Sequence, residues 1–249
     1  MVSGKYSALS GAISREQTIA NISNNLANVS TTGYKRSQVS FESILNGEKQ
    51  ATEAKGINYS RVSQNFTDFS TGPLRQTDDP LDVTIHGDGF FKVQGPDGVL
   101  YTKRGDLAIN GEGLLTTSNG LPVLDDSGAE ITISGTESSS IAFSDSGAIY
   151  TLDKQGGRTE VGQLGLFTIA DTSKLKRESD TTFSLEDISQ EAPDEGSRII
   201  QGSLELSNVN MVAEMTKMIN SYRAFETYHK VLKSYSTISE QQNELGTLG

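Results

Sequence analysis

Residues 18–36 read TIANISNNLANVSTTGYKR, and four asparagines, Asn21, Asn24, Asn25 and Asn28, fall inside a pattern that is otherwise helical. Ile19, Ile22, Leu26 and Val29 recur at steps of three, four and three, the spacing of one helix face. On a wheel turning about 100° per residue, the asparagines gather on a separate arc roughly 130° away. A face turned only to water is better served by Lys, Glu or Ala, which favour the helix more than Asn does. An amide carries donors and acceptors together, so a row of amides suits a polar contact with another protein surface. The contrary reading, a loop rich in turn formers, has the matching apolar stripe against it. The helix is expected to stop near Thr31-Thr32-Gly33, where two β-branched residues precede a glycine able to take the left-handed cap conformation.

Working outward, Val2, Tyr6, Leu9 and Ile13 form an earlier stripe, separated from the first by Glu16 and Gln17. Gly4 and Gly11 each cost about 1 kcal/mol relative to Ala in a helix, so this segment is marginal in isolation. The far end of the chain has the same periodicity. Met211, Met215, Met218, Tyr222, Phe225, His229 and Leu232 step by four and three, and Tyr228, Val231, Tyr235, Ile238, Gln242 and Leu245 continue. Ser207, Asn208 or Asn210 can cap its start, and Glu214 sits where the helix dipole favours an acid. A helix over residues 210–245 would be roughly 50 Å long, more than a compact domain of this size covers.

Between the ends the pattern changes to short apolar alternations divided by Gly and Asp. Leu81, Val83 and Ile85 alternate with polar residues; Phe90–Val93 and Val99–Tyr101 flank Gly95-Pro96-Asp97-Gly98 as a hairpin; Leu107–Ile109 and Leu114-Leu115 flank Asn110–Gly113 as a second. Further strands are expected at 121–124, 131–133, 141–143, 148–151 and 161–169, with residues 171–197 a polar surface excursion before Ile199-Ile200. The fold class is therefore α+β. Long N- and C-terminal helices pack as a coiled-coil-like pair, each burying its stripe on the other, beside a central antiparallel all-β domain, either sandwich or barrel. The expected division is residues 1–65 with 200–249 as a terminal helical region, and 66–199 as the β-rich domain.

The chain has 249 residues, 34% of them hydrophobic, with no Trp and a net charge of −11. Residues 50–197 hold eleven basic and twenty-four acidic residues, a net of −13, whereas 1–49 carry +2 and 198–249 are neutral. Such a middle repels nucleic-acid phosphates and anionic lipid, so neither a nucleic-acid partner nor membrane insertion is expected. The near-neutral ends can pack against copies of themselves without like-charge cost. There are no cysteines, which rules out disulfides and thiolate metal sites. The start has no apolar run of signal-peptide length, so any route out of the cytoplasm is expected not to use an ordinary cleaved signal.

ISNNLANVSTTGYKR and SNVNMVAEMTKMINSYRAFE resemble the paired terminal signatures of the bacterial flagellar axial proteins, the rod and hook subunits, and GDGFFKVQGPDGVLYTKRGDLAINGEGLLTTSNGLPVL is similar to their shared central segment. Residues 125–197 carry no such resemblance. It implies a structural subunit whose terminal helices form the inner tube of a helical polymer with the β domain outside. Its partners would be copies of itself, other rod proteins and the flagellar type III export apparatus, and its place the periplasm-spanning rod of the basal body. The opening MVSGKYSALSGA, the total length and the short link from Phe41 to Leu81 resemble the proximal-rod branch most, with the distal rod as alternative; hook subunits usually carry a larger outer domain. Carried over by position, the resemblance matches Asn24, Asn25, Leu26, Ala27, Asn28, Thr32, Gly33, Tyr34 and Lys35 at the front; with Asn21 added and Ala27 left out, these are the candidate subunit-interface residues there. At the rear it matches Ser207, Asn208, Val209, Asn210, Glu214, Met215, Met218, Ile219, Arg223, Ala224 and Glu226; the candidate interface residues there are Asn208, Asn210, Met211, Glu214, Met215, Met218, Ile219, Tyr222, Arg223, Phe225 and Glu226. Asn24, Asn25 and Asn28 are read as inter-subunit hydrogen-bonding positions and Gly33 as the turn out of the tube. For Met215, Met218, Tyr222 and Phe225 the competing reading is an ordinary intramolecular core, and for Arg223 with Glu226 a solvated helix pair.

Two other classes stand against this. A periplasmic hydrolase on a β scaffold would need chemistry from His86, His229 or the pairs Asp78-Asp79 and Asp125-Asp126. The histidines lie in different segments outside any two-histidine metal motif, and the acid pairs beside Pro80 and Gly128 read as turns. A free β binding module would explain the centre and leave both helices without purpose. The expected protein is non-enzymatic, with no catalytic or metal site and no cofactor.

Overall fold

The structure is a computed structural model describing residues 2–46, 57–133, 141–152, 157–194 and 196–247. Two compact units divide the chain, one drawn from residues 1–27, 36–68 and 209–249, the other from 28–35 and 69–208. With a helix toward each end and antiparallel strands between them, the fold is α+β.

In the first unit, α1 (Val2–Ala27) runs unbroken through Glu16-Gln17, so the gap in the stripe is a change of face and not of backbone. The strands β1 (Ser37–Asn46) and β2 (Ile57–Thr67) pair antiparallel with a register shift at Ser40/Phe41. This hairpin carries no strict alternation and was not expected. The second helix of this unit spans Met211–Thr247, and Asn210 caps it by accepting from the backbone N–H of Ala213.

The two helices run antiparallel. A Cβ on Gly4 would lie 2.5 Å from Oη of Tyr235, and one on Gly11 2.6 Å from ring carbons of Tyr228. Seven residues forward on one helix thus match seven backward on the other. Two such steps further, Asn25 meets Glu214. In the first half of α1 the residues facing inward are small, Ala8, Gly11, Ala12 and Ser14, with Ser221 opposite; further along, Ile22 of the second stripe is buried as expected. Of the two stripes expected to be buried, the first points away, with Tyr6 50%, Leu9 43% and Ile13 46% exposed. Small side chains let backbones approach closely, and this wins the interface over the larger residues.

In the second unit, β3 (Leu74–Gln76) pairs with the last strand, Ser203–Glu205, and β4 (Val83–His86) with Arg198–Gln201. Next come β5 (Phe90–Gly95) and β6 (Gly98–Thr102), then β7 (Leu107–Ile109) and β8 (Leu115–Thr117), both as the expected hairpins. Residues 122–124, 130 and 132 contribute isolated bridges where strands were expected. β9 (Ile141–Phe143), β10 (Ala148–Leu152) and β11 (Arg158–Gln163) form a three-stranded sheet. The single strand expected over 161–169 is interrupted at Leu164-Gly165, beyond which β12 (Leu166–Ile169) joins another sheet.

Residues 171–197 are not a surface excursion. They supply β13 (Leu175–Arg177), β14 (Thr182–Leu185) and β15 (Glu191–Pro193) to a six-stranded sheet ordered β13-β14-β6-β5-β12-β15, followed by β16 (Arg198–Gln201) and β17 (Ser203–Glu205). Their apolar content is only a residue or two per strand, yet Phe183 is completely buried. Successive strand residues face opposite ways, so Phe91 and Leu166 enter the larger core with Val83, Val93 and Leu115, while Phe90 and Phe167 enter an aromatic core with Tyr101 and Phe183. Phe69 packs edge-on against Phe90 and Phe183 at 5.3 and 5.0 Å. A sheet with core on both faces explains the doubled Phe90-Phe91.

Candidate functional site

The asparagines of α1 separate by role. Asn25 is buried; its Nδ2 donates to the carbonyl of Ser37 at 2.9 Å and its Oδ1 accepts from the Ser37 N–H at 2.9 Å. The side-chain amide thereby acts as a neighbouring strand would, satisfying both backbone groups at the start of β1. Only an amide does this: Asp lacks the donor and Gln is a carbon too long. Asn21, half-buried, donates to Oγ of Ser37. Asn25 also donates to Oε2 of Glu214 at 3.5 Å. That carboxylate, buried in the first turn of the second helix, is held by Lys217 at 2.7 Å and lies 4.0 Å from the guanidinium of Arg36. Asn24, about 100° round the helix from Asn25, is exposed, and Leu26 is half-buried.

In the second unit, α1 having ended at Ala27, the chain turns at Asn28, whose Oδ1 accepts from Thr31 Oγ1 and whose Nδ2 donates to Asp180. The helix thus stops earlier than expected, and half-buried Thr32 leads into Gly33 some residues beyond it. Gly33 has φ +69, and a Cβ there would lie 2.7 Å from Cα of Arg104, so both conformation and space demand glycine. Its N–H donates to the carbonyl of Glu205. Tyr34 and Lys35 follow, both buried. The Arg177 guanidinium lies 4.8 Å from the Tyr34 ring and donates to the Lys35 carbonyl. Desolvation lowers the pKa of Arg177, against the opposing pull of Tyr34 and Asp180.

Lys35 and Glu205 form an ion pair at 2.7 Å with side chains 1% and 2% exposed. Lys35 also donates to the Ser70 carbonyl, and Glu205 accepts from the N–H of Gly72. Asn208 donates to Ser70 as well. Glu205, Arg177, Ser37 and Lys217 are partners the sequence did not single out. Glu205 lies on an alternating Ser-Leu-Glu-Leu run that places it outward on pattern alone, and Arg177 lies in the 171–197 segment, whose polarity reads as a surface excursion.

The rear residues are mostly outward. Met211, Met215, Ile219 and Tyr222 are exposed, as are Asn210, Arg223 and Glu226; Met218 and Phe225 are half-buried. Ile219, Tyr222, Arg223, Phe225, Glu226 and His229 line one shallow concavity. Glu226 pairs with Lys230 at 2.8 Å and not with Arg223. His229 stacks edge-on against Phe225 at 4.4 Å, and His86 is exposed at the end of β4. Asp125 accepts from the N–H groups of Ser127 and Ala129, and Asp79 from Leu81, so the acid pairs are turn-builders. No helix among the described residues is long and apolar enough to cross a membrane.

Three family descriptions match: "Flagella basal body rod protein" at residues 6–35, "Flagellar hook protein FlgE/F/G D1 domain" at 84–151 and "Flagellar basal body rod FlgEFG protein C-terminal" at 200–245. Among similar proteins, the flagellar basal-body rod protein FlgF of Caulobacter vibrioides is 34% identical, covering 95% of this chain and 96% of its own. FlgG of Bacillus subtilis is 29% identical over 97% and 98%, and FlgF of Rhizobium meliloti 33% over 94% and 93%. The chain belongs to the flagellar basal-body rod protein family, as a structural and non-enzymatic component of the basal body that is FlgF-like, with FlgG next in resemblance.

Proposed function

We propose that this chain builds the proximal rod by polymerising through its two terminal helices, with residues 1–65 and 200–249 as the assembling part and 66–199 as the outer β-rich part. The observation that carries the reading is the apolar surface left over once the helices have packed on each other: Tyr6, Leu9 and Ile13 on α1, and Met211, Met215, Ile219 and Tyr222 on the second helix. Water does not reward such faces, and neighbouring subunits bury them. The helix pair itself is read as an antiparallel coiled coil, supported by the seven-residue steps from Gly4/Tyr235 to Gly11/Tyr228 and on to Asn25/Glu214.

The candidate interface residues then fall into two groups. Asn24, Met211, Met215, Ile219, Tyr222, Arg223, Phe225 and Glu226 meet neighbours, while Asn21, Asn25 and Glu214 fix the backbone of their own unit, and Gly33, Tyr34 and Lys35 that of the β-rich unit. Passage through the flagellar type III apparatus in an unfolded state suits a chain without cysteine. Met215→Glu and Ile219→Glu test the reading. The purified chains keep the wild-type circular dichroism, and cells carrying them do not swim; normal swimming would contradict assembly through this face.

A further inference from the structure

In the six-stranded sheet, the pairing of β14 with β6 stops after two residues. Thr182 faces Thr102 and Phe183 faces Tyr101. Continued in that register, Leu185 would face Val99, but the ladder between β14 and β6 ends at Phe183 and Tyr101, and each strand goes on pairing only along its other edge, Leu185 with Leu175 on β13 and Val99 with Gln94 on β5. The strands diverge, and a groove of about 910 Å³ opens where the ladder ends. Gly95 and Gly98 close a two-residue hairpin, so backbone groups along β6 alternate in direction and those of Val99 turn toward the gap.

Leu121, Leu185 and Ile188 supply apolar lining, and Ile188 is 64% exposed. The charged residues of the lining are Asp97 and Glu178, with no Lys or Arg among them. This unit, residues 28–35 with 69–208, holds eleven basic and twenty-three acidic residues, a net of −12, so a second copy of it brings like charge to an acidic groove, whereas a basic segment is attracted to it.

We propose that this splayed end of the sheet receives an extended peptide segment of a partner protein, with basic and apolar side chains in alternation. The segment adds a strand on Val99, seats its apolar side chains on Leu185 and Ile188, and brings its cations to Asp97 and Glu178. Backbone pairing supplies affinity and the alternating side chains supply selectivity, as in other strand additions.

The test uses the full chain and the synthetic peptide acetyl-Lys-Val-Lys-Val-Lys-amide, followed by fluorescence polarisation and by hydrogen exchange at the Val99 amide. Saturable binding is expected, with slowed exchange at Val99. The affinity falls about tenfold or more in the double variant Asp97→Lys/Glu178→Lys, and the Glu-Val-Glu-Val-Glu peptide does not bind. Absence of saturable binding, binding indifferent to the charge reversal, unchanged exchange at Val99, or self-association of the chain through an Ile188→Cys cross-link would each overturn the proposal. Met215→Glu leaves peptide binding intact, so failure here is distinguishable from failure of assembly through the terminal helices.

Discussion

Gly11 lies beneath the ring of Tyr228, where a Cβ would come within 2.6 Å of Cε1 and Cζ. Alanine at this position gains about 1 kcal/mol of helix propensity, while forcing a ring out of a packed interface costs about 1 to 3 kcal/mol. Gly11→Ala is therefore expected to destabilise the helix pair, and Gly11→Ala/Tyr228→Ala to be less unstable than the two single changes added together. At Gly4 the nearest atom is the terminal hydroxyl of Tyr235, which can swing aside, so Gly4→Ala is expected to be neutral or stabilising. Urea titrations followed by circular dichroism at 222 nm check all four chains, and equal effects of Gly4→Ala and Gly11→Ala would refute the distinction.

Asn25 and Asn24 are neighbours in sequence with opposite consequences. Asn25→Leu strips partners from the Ser37 N–H and carbonyl and should cost about 2 to 3 kcal/mol in the isolated chain. Asn24→Leu, on the exposed side, should change monomer stability by less than about 0.5 kcal/mol while impairing assembly and swimming. A stable Asn25→Leu chain would refute the strand-mimicking amide.

Breaking the Lys35–Glu205 pair from one side leaves a buried charge uncompensated. Lys35→Met is expected to lose about 3 to 5 kcal/mol in the β-rich unit. Adding Glu205→Gln should restore a large part of it, because the stranded charge is then gone. Thermal unfolding of the single and double variants decides; a double variant no better than the single would argue against an electrostatic origin.

Lys103 is buried, donating to the Gly87 carbonyl over the Phe90 ring at 5.1 Å. Desolvation, aided by Lys35, lowers its pKa from 10.5 to about 8, against the opposing pull of Glu205, Asp88 and Asp194. The folded chain sheds this proton near pH 8 while the unfolded chain holds it to 10.5, so between those values the unfolded state binds more protons and this residue's contribution to stability rises with pH. Measured against Lys103→Met, the wild type should gain stability from pH 8 to pH 9.5 in urea titrations. A flat difference across that window would mean that Lys103 stays charged.

The sequence made the helices legible through their periodicity, and the hairpins around Pro96-Asp97 and Gly111-Glu112 through turn chemistry. It placed Ile22 on the buried face of α1 but misplaced that face in the first half of the helix, because hydrophobic spacing marks large residues while Gly4, Ala8 and Gly11 are chosen by how closely two backbones approach. It missed β1 and β2, whose residues carry no strict alternation, and the strands between residues 175 and 193, where short pairings rest on partners distant in sequence, as Phe183 does on Tyr101; Ile199-Ile200 was legible and lies in β16. Asn25 and Asn24 look alike in sequence; only the position of Ser37 separates a buried bridge from an outward amide.

Assembly through the terminal helices is tested most directly by solvent access to their outer faces. The natural chain has no cysteine, so Leu9→Cys and Ile219→Cys each introduce a unique reactive thiol, to be labelled with a maleimide in the purified monomer and in isolated basal bodies. Both thiols are expected to react in the monomer and to be protected in the assembled organelle. Equal labelling in the two states, in basal bodies that contain the variant chains, would contradict the account.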